Sequence, residues 1–298
     1  MAYLFAHFTS EQNDGEQVYF SVSTDGLQWE DLNSGKPVLV STVGECGVRD
    51  PFLVKHPVTG KYFLIGTDLK IEAGKGWDAA QHQGSRDIVV WESEDLINWG
   101  TQRNITLAID GAGCLWAPES IFDEEKQAFF VFWSSMTKPE GDEHPKQRIY
   151  AAHTTNFKEF TTPFLYYEAD NHVIDMNIIH DGGWYYRFMK DETTKKVKMD
   201  RLKTLDGIAE DIHAPVLAEM GGVEGPQAYR LPCGKWCLIV DRFQARKGYL
   251  PIVINDLATG NFAIAPQNSY NMGKLKKRHG GVIEISRAEV TRLRDAYK

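Results

Sequence analysis

The sequence predicts an all-β fold: one five-bladed β-propeller spanning residues 1–298, its fifth blade closed by strands from the two ends of the chain. Three observations predict it. A unit of two apolar strands joined by a tight turn recurs along the chain. The first strands of these units align on one column of residues at steps of 50 to 67. An orphan strand pair near the N-terminus answers an orphan strand near the C-terminus. Steps of that size suit four-stranded blades with loop insertions. A two-sheet sandwich would also hold many strands, but it gives no reason for a column of equivalent residues.

In chain order, the orphan pair comes first, Tyr3 to Phe8 and Gln17 to Ser23. The first full unit is Asp50-Pro51-Phe52-Leu53-Val54 followed by Tyr62-Phe63-Leu64-Ile65-Gly66-Thr67. The unit returns at Ala117 to Ile121 with Phe129 to Trp133, at Asp175 to Ile179 with Trp184 to Phe188, and at Gly225 to Tyr229 with Trp236 to Val240. Outer strands follow, each ending in a polar turn: Ser93-Glu94-Asp95-Leu96 before Trp99, Ser23-Thr24-Asp25-Gly26 before Trp29, and more weakly Thr154-Thr155-Asn156-Phe157. The last first-strand, Gly280 to Ile285 after His279, has no followers of its own. Joining it to the N-terminal pair completes a fifth blade and removes the bare edges that an open ring would expose. Helix is sparse, with Arg287 to Tyr297 predicted as a terminal helix.

The 298 residues are 42% hydrophobic and 25% charged, enough to bury a large core, which excludes disorder and fibre. Lys and Arg total 33 against 41 for Asp and Glu, a formal charge of -8. An acidic surface repels phosphate backbones, and the basic cluster Lys274 to Arg278 is too short to reverse that, so nucleic acid is excluded as the main partner. No apolar run approaches the ~18 residues of a membrane span, and Met1 to His7 lacks the pattern of a signal peptide. The expectation is a cytoplasmic protein, or a secreted or periplasmic one whose leader has been removed. Cys46, Cys114, Cys233 and Cys237 include one close pair, and a zinc site would need a second, so free or buried thiols in a reducing compartment are expected.

In a propeller the inner strand of every blade starts at the same end of the central channel, so the aligned column faces one shared pocket. That column is rich in acids. Asp50 and Asp175 lie in it, Glu224 precedes Gly225, and Glu119 lies two places past Ala117. A lone Asp-Pro is an ordinary loop dipeptide, but solvated surface charges have no reason to recur in register at the start of an apolar strand.

Arg49-Asp50-Pro51, Trp116-Ala117-Pro118-Glu119, Ile174-Asp175, Val223-Glu224-Gly225-Pro226 and Arg278-His279-Gly280, in this order and at blade spacing, resemble the signatures of glycoside hydrolase family 43. The resemblance runs from Tyr3 to the helix after Ile285. It implies an inverting hydrolysis of arabinofuranosyl or xylosyl bonds, with Asp50 as the general base, Glu224 as the general acid, and Asp175 raising the acid's pKa and orienting it. A neighbouring carboxylate disfavours ionisation, so Asp175 is expected to keep Glu224 protonated. Inversion also requires space for water, with base and acid roughly 6.5 to 9.5 Å apart. The chain departs from the family at Arg49 and at Met176-Asn177, which bears on substrate choice more than on chemistry.

The resemblance further places His279 in the channel, where relatives use it on a calcium ion; the alternative is a histidine hydrogen-bonded to the catalytic layer, since calcium prefers oxygen ligands. The second strand of each blade runs back to the same mouth, which brings Thr67-Asp68, Ser134-Ser135, Lys190-Asp191-Glu192 and Asp241-Arg242 forward as substrate contacts beside Glu119, with Trp116 either a stacking surface for a sugar ring or core packing. The insert Thr137 to Gln147 has loop composition and could wall the pocket or be solvated. The expected partners are arabinose- or xylose-containing oligosaccharides, with terminal α-L-arabinofuranose favoured over β-xylose or β-galactose. The rivals are a non-catalytic carbohydrate-binding propeller, a retaining hydrolase and a phosphorylase.

Overall fold

The computed structural model describes residues 1–298 except Ala108. It forms five four-stranded antiparallel sheets. The chain enters with β1 (Ala2–His7), β2 (Tyr19–Ser23) and β3 (Glu30–Asp31). The first complete blade follows as β4 (Val48–Lys55), β5 (Tyr62–Asp68), β6 (Asp87–Ser93) and β7 (Arg103–Thr106). The next is β8 (Trp116–Asp123), β9 (Ala128–Thr137), β10 (Lys146–Thr154) and β11 (Phe164–Tyr167). Then come β12 (Val173–Asp181), β13 (Trp184–Asp191), β14 (Lys196–Leu202) and β15 (Glu210–Ile212), and after them β16 (Glu224–Arg230), β17 (Trp236–Asp241), β18 (Tyr249–Asp256) and β19 (Asn261–Ile264). The final strand, β20 (Gly280–Ile285), pairs with β1, which pairs with β2 on its other side; Phe5 faces Val282 and Ser21. The two ends of the chain therefore share one blade, as the orphan strands predict.

The first strands β4, β8, β12, β16 and β20 pack against one another in a closed ring. Between each adjacent pair of blades lies an apolar cluster. Leu4, Phe20, Leu64 and Trp91 fill one interface, and Ile65, Val90, Phe129 and Val131 the next. Every residue of β9 is buried, because both of its faces meet a neighbouring blade. This explains continuous apolar runs where a half-exposed strand would alternate.

Two local devices repeat with the blades. The first is a β-bulge at the start of the inner strand. Asp50, Ala117, Asp175 and Gly225 all take left-handed φ, from 48° to 55°, and ladder pairing slips between Arg49 and Phe52, Trp116 and Glu119, Ile174 and Asn177, and Glu224 and Gln227. Such a bulge re-aims side chains at the channel mouth. Asp tolerates this conformation. At Gly225 a Cβ would lie 2.7 Å from the His279 ring, so a carboxylate at that column position has no room, and this blade's acid stands one residue earlier at Glu224.

The second device is the turn after the third strand. Ser23, Ser93 and Thr154 accept from the backbone N–H of Gly26, Leu96 and Phe157, while Asp25, Asp95 and Asn156 accept from the two N–H groups beyond. A short oxygen-bearing side chain that caps its own turn is why the motif survives even where the sequence match is weak.

The terminal helix α3 (Arg287–Ala296) is fixed by a capping box between Ser286 and Glu289 and buries Val290 and Leu293. Among the described residues, two further short α-helices that no apolar pattern marks are α1 (Trp77–His82), in the β5–β6 connection, and α2 (Pro215–Glu219). No helix among the described residues is long and apolar enough to cross a membrane. All four cysteines are free, Cys114 and Cys237 buried and Cys46 and Cys233 exposed.

Candidate active site

The bulges open onto a cavity of about 650 Å³ lined by Asp50, Asp175, Glu224, His279, Lys190, Asp241 and Trp116. The three carboxyls of the aligned column, His279, Lys190, Asp241 and Trp116 therefore share one space. Asp50 Oδ2 accepts from the Thr67 hydroxyl at 2.8 Å, and Thr67 in turn accepts from the N–H of Ala117 at 2.7 Å, latching the first blade to the next. Gly225 N–H donates to Asp175 Oδ2 at 3.1 Å, a second latch between blades.

His279 is buried at the cavity floor, with Nδ1 3.3 Å from Asp50 and 3.7 Å from Asp175, and Nε2 3.8 Å from Glu119. Burial alone would make the ring neutral, but the charges of Asp175 and Asp50 override it and hold the imidazole protonated, well above its ordinary range. Burial would likewise raise Asp50; the charge and hydrogen bond of His279, with help from Arg49 and Thr67, hold it below the usual carboxylate range. Asp50 is thus an ionised acceptor at neutral pH, the state a base requires.

The expected electrostatics of Glu224 are reversed. Its Oε2 accepts from Lys190 Nζ at 2.9 Å and its Oε1 from Arg278 Nη2 at 2.9 Å. Against the raising effect of burial, these two cations hold Glu224 below the ordinary range. Asp175 is the carboxyl pushed up, to about 6, by burial and then by the charges of Glu224 and Asp50, in spite of His279 and Lys190. The neighbouring acid is close in the aligned column, whereas the two cations arrive from β13 and from the segment before β20, far away in the chain. Each cation also has a second partner: Arg278 Nε lies 2.6 Å from Asp241, and Lys190 Nζ 2.6 Å from Glu192. Asp241 is fully buried and raised to about 6, chiefly by burial, despite Arg278.

Asp68 and Glu119 do not line the cavity. Asp68 turns away and accepts from the N–H of Glu45 at 2.8 Å, bracing the segment before β4. Glu119 lies beneath the floor, buried, accepting from Asn177 at 2.7 Å, and its burial raises it to about 7. Ser134 and Ser135 are buried off the cavity, and Ser135 donates to the carbonyl of Cys114. The insert after β9 is tied back by an ion pair between Arg148 and Asp142 and does not wall the pocket.

Conversely, Arg278, Trp77 and Phe243 line the cavity without having been singled out as site residues. Arg278 belongs to the Arg278-His279-Gly280 motif, but Trp77 and Phe243 lie on inserts outside the repeat. Trp77 packs edge-on to Trp116 at 6.1 Å, and Phe243 lies 4.4 Å from Lys190 Nζ. Both nitrogens of His279 lie within 4 Å of carboxylates, Nδ1 of Asp50 and Asp175 and Nε2 of Glu119, which ties the ring to the catalytic layer; no group of three His, Cys, Asp or Glu side chains placed to hold a metal ion gathers among the described residues.

A family model described as a probable glycosyl hydrolase domain, related to glycoside hydrolase family 43, matches residues 1–291. An α-L-arabinofuranosidase of Bifidobacterium longum is 33% identical over a stretch covering 68% of this chain and 22% of that protein, so the chain spans about a fifth of the curated relative's length. Two solved structures share the fold. One, from Bifidobacterium bifidum and described as a candidate exo-β-1,3-galactanase, has 16% identity and a TM-score of 0.61, covering 93% of this chain and 90% of that one. The other, an endo-1,4-β-xylanase of Bacteroides thetaiotaomicron, has 12% identity and a TM-score of 0.59, covering 93% of each chain. With a five-bladed propeller, an acidic channel mouth and a family model matched over nearly its whole length, the chain belongs to the glycosyl hydrolases related to family 43.

Proposed function

We propose that this propeller is an inverting glycoside hydrolase that releases terminal pentose, α-L-arabinofuranose first, from plant cell-wall oligo- or polysaccharides. The observation that carries the reading is the divergence of three carboxyls in one cavity: Asp50 held ionised, Asp175 raised to about 6, and Glu224 lodged between two cations. Titratable groups pushed apart by their surroundings are the mark of acid and base assignments.

Asp50 activates water on one face of the sugar. Glu224 delivers the proton to the leaving oxygen on the other. Asp175, raised to about 6, and Glu224, held low by Lys190 and Arg278, titrate as a pair, and the proton that Glu224 delivers is one the two carboxyls share. Lys190 and Arg278 each have an alternative carboxylate, Glu192 and Asp241, within 2.6 Å. When the leaving oxygen enters beside Glu224, the shared proton passes to it through Glu224, whose charge the same two cations then balance. Trp116 and Trp77 offer faces for a sugar ring.

The arabinofuranosidase name of the Bifidobacterium longum relative supports the sugar choice. The test is release of nitrophenol from the arabinofuranoside, xyloside and galactoside side by side, with Asp50→Asn and Glu224→Gln as controls. The arabinofuranoside should turn over fastest. Equal turnover by wild type and both variants would move the active site elsewhere, and preference for the xyloside would make the enzyme a β-xylosidase on the same scaffold.

A further inference from the structure

Six carboxylates line the cavity, and each has a cationic partner within 4 Å. Glu11 meets Arg49 and Arg278, Asp50 and Asp175 meet His279, Glu192 and Glu224 meet Lys190, and Asp241 meets Arg278. Of the lining cations, Arg246 and Lys276 are the two that have no carboxylate in reach among the described residues, and both are exposed. The other four lining cations, Arg49, Lys190, Arg278 and His279, are engaged by these carboxylates, so Arg246 and Lys276 are the two free to meet a ligand.

Both cations stand on the Glu224 side. Arg246 closes the turn that holds Phe243, its N–H donating to the Phe243 carbonyl at 3.0 Å, and Phe243 covers the Lys190 that binds Glu224. That hairpin is built stiffly: the Arg242 guanidinium donates to the carbonyls of Gly248, Lys247 and Tyr249. Lys276 is two residues from Arg278, the other partner of Glu224, and packs against Gly248 at the hairpin's far end. The general acid must touch the leaving oxygen, so the sugar that departs lies against these loops.

Resting on the catalytic reading above, we infer that Arg246 and Lys276 form an aglycone subsite for an anionic sugar, a hexuronate whose carboxylate falls between them. Two partly solvated charges of this kind are worth about tenfold in affinity at low ionic strength, and salt screens them.

The probes are two arabinofuranosyl disaccharides that differ only at C6 of the acceptor hexose, carboxylate in one and hydroxymethyl in the other. Wild type should show a kcat/KM about tenfold higher for the acid at low salt, falling toward equality at 0.5 M NaCl. The Arg246→Gln/Lys276→Gln variant should show a ratio near one at both. A wild-type ratio of one or below at low salt, or a ratio unchanged in the variant, overturns the subsite and leaves the hydrolase reading intact. Binding of methyl glucuronide and methyl glucoside, followed by protein NMR, needs no turnover. If neither disaccharide is cleaved but the glucuronide still binds more tightly in wild type and not in the variant, the subsite stands and the catalytic reading falls.

Discussion

Asp175 is where the residue-scale account is most exposed to test. Its pKa of about 6 in the free enzyme should set the basic limb of kcat/KM, which falls as pH rises through that value and the shared proton is lost. Asp50, held low, should limit activity only at more acidic pH. Asp175→Asn removes the group that stores the proton and the negative charge that favours it, leaving Glu224 between Lys190 and Arg278; the basic limb should move to lower pH. A limb that stays near 6 in a full pH profile would place the titrating proton on another group, Asp241 first. Asp50→Asn should lower kcat/KM by about 10² to 10⁴ on aryl and natural substrates alike. Glu224→Gln should spare good leaving groups and damage poor ones, a contrast read from paired kinetics. The carboxyls themselves were legible in the sequence because a bulge repeats with each blade and places them in register. Their charge states were not, since Lys190 and Arg278 reach Glu224 from 34 and 54 residues away.

At the scale of elements, the blade formed by β12 to β15 holds a buried ion pair across neighbouring strands. Arg187 on β13 faces Asp200 on β14 and binds it through two bonds of 2.7 and 2.6 Å, with Tyr167 4.9 Å from the guanidinium. Asp200→Ala strands a buried cation and should cost about 3–5 kcal/mol in urea unfolding, whereas Arg187→Met with Asp200→Leu should recover most of it. A loss below ~1 kcal/mol for Asp200→Ala would mean that the guanidinium finds water or another acceptor. Strand pairs and the terminal helix could be read from apolar runs and from the Ser286 cap. The helix α1 could not, because Trp77 to His82 has too short a pattern to separate from a loop, and it is this helix that brings Trp77 to the cavity.

For the whole molecule, ring closure depends on β20 pairing with β1. A chain ending at His279 lacks β20 and α3, leaves β1 with a bare edge, and opens the apolar cluster holding Ile285, Val290 and Leu293. It should lose cooperative thermal unfolding by circular dichroism; a sharp transition like that of the full chain would show that four blades and three strands of the fifth suffice. Closure was legible because orphan strands at both ends had no other partner, whereas the depth of the cavity depended on inserts that the repeat does not describe. The central claim is that water attacks from the Asp50 side while Glu224 protonates the departing sugar, with no covalent intermediate. Proton NMR of the sugar released from an α-L-arabinofuranoside in the first minutes tests it most directly: β-arabinofuranose appearing first is the result predicted, and α-arabinofuranose appearing first would contradict it by making one of these carboxylates a nucleophile.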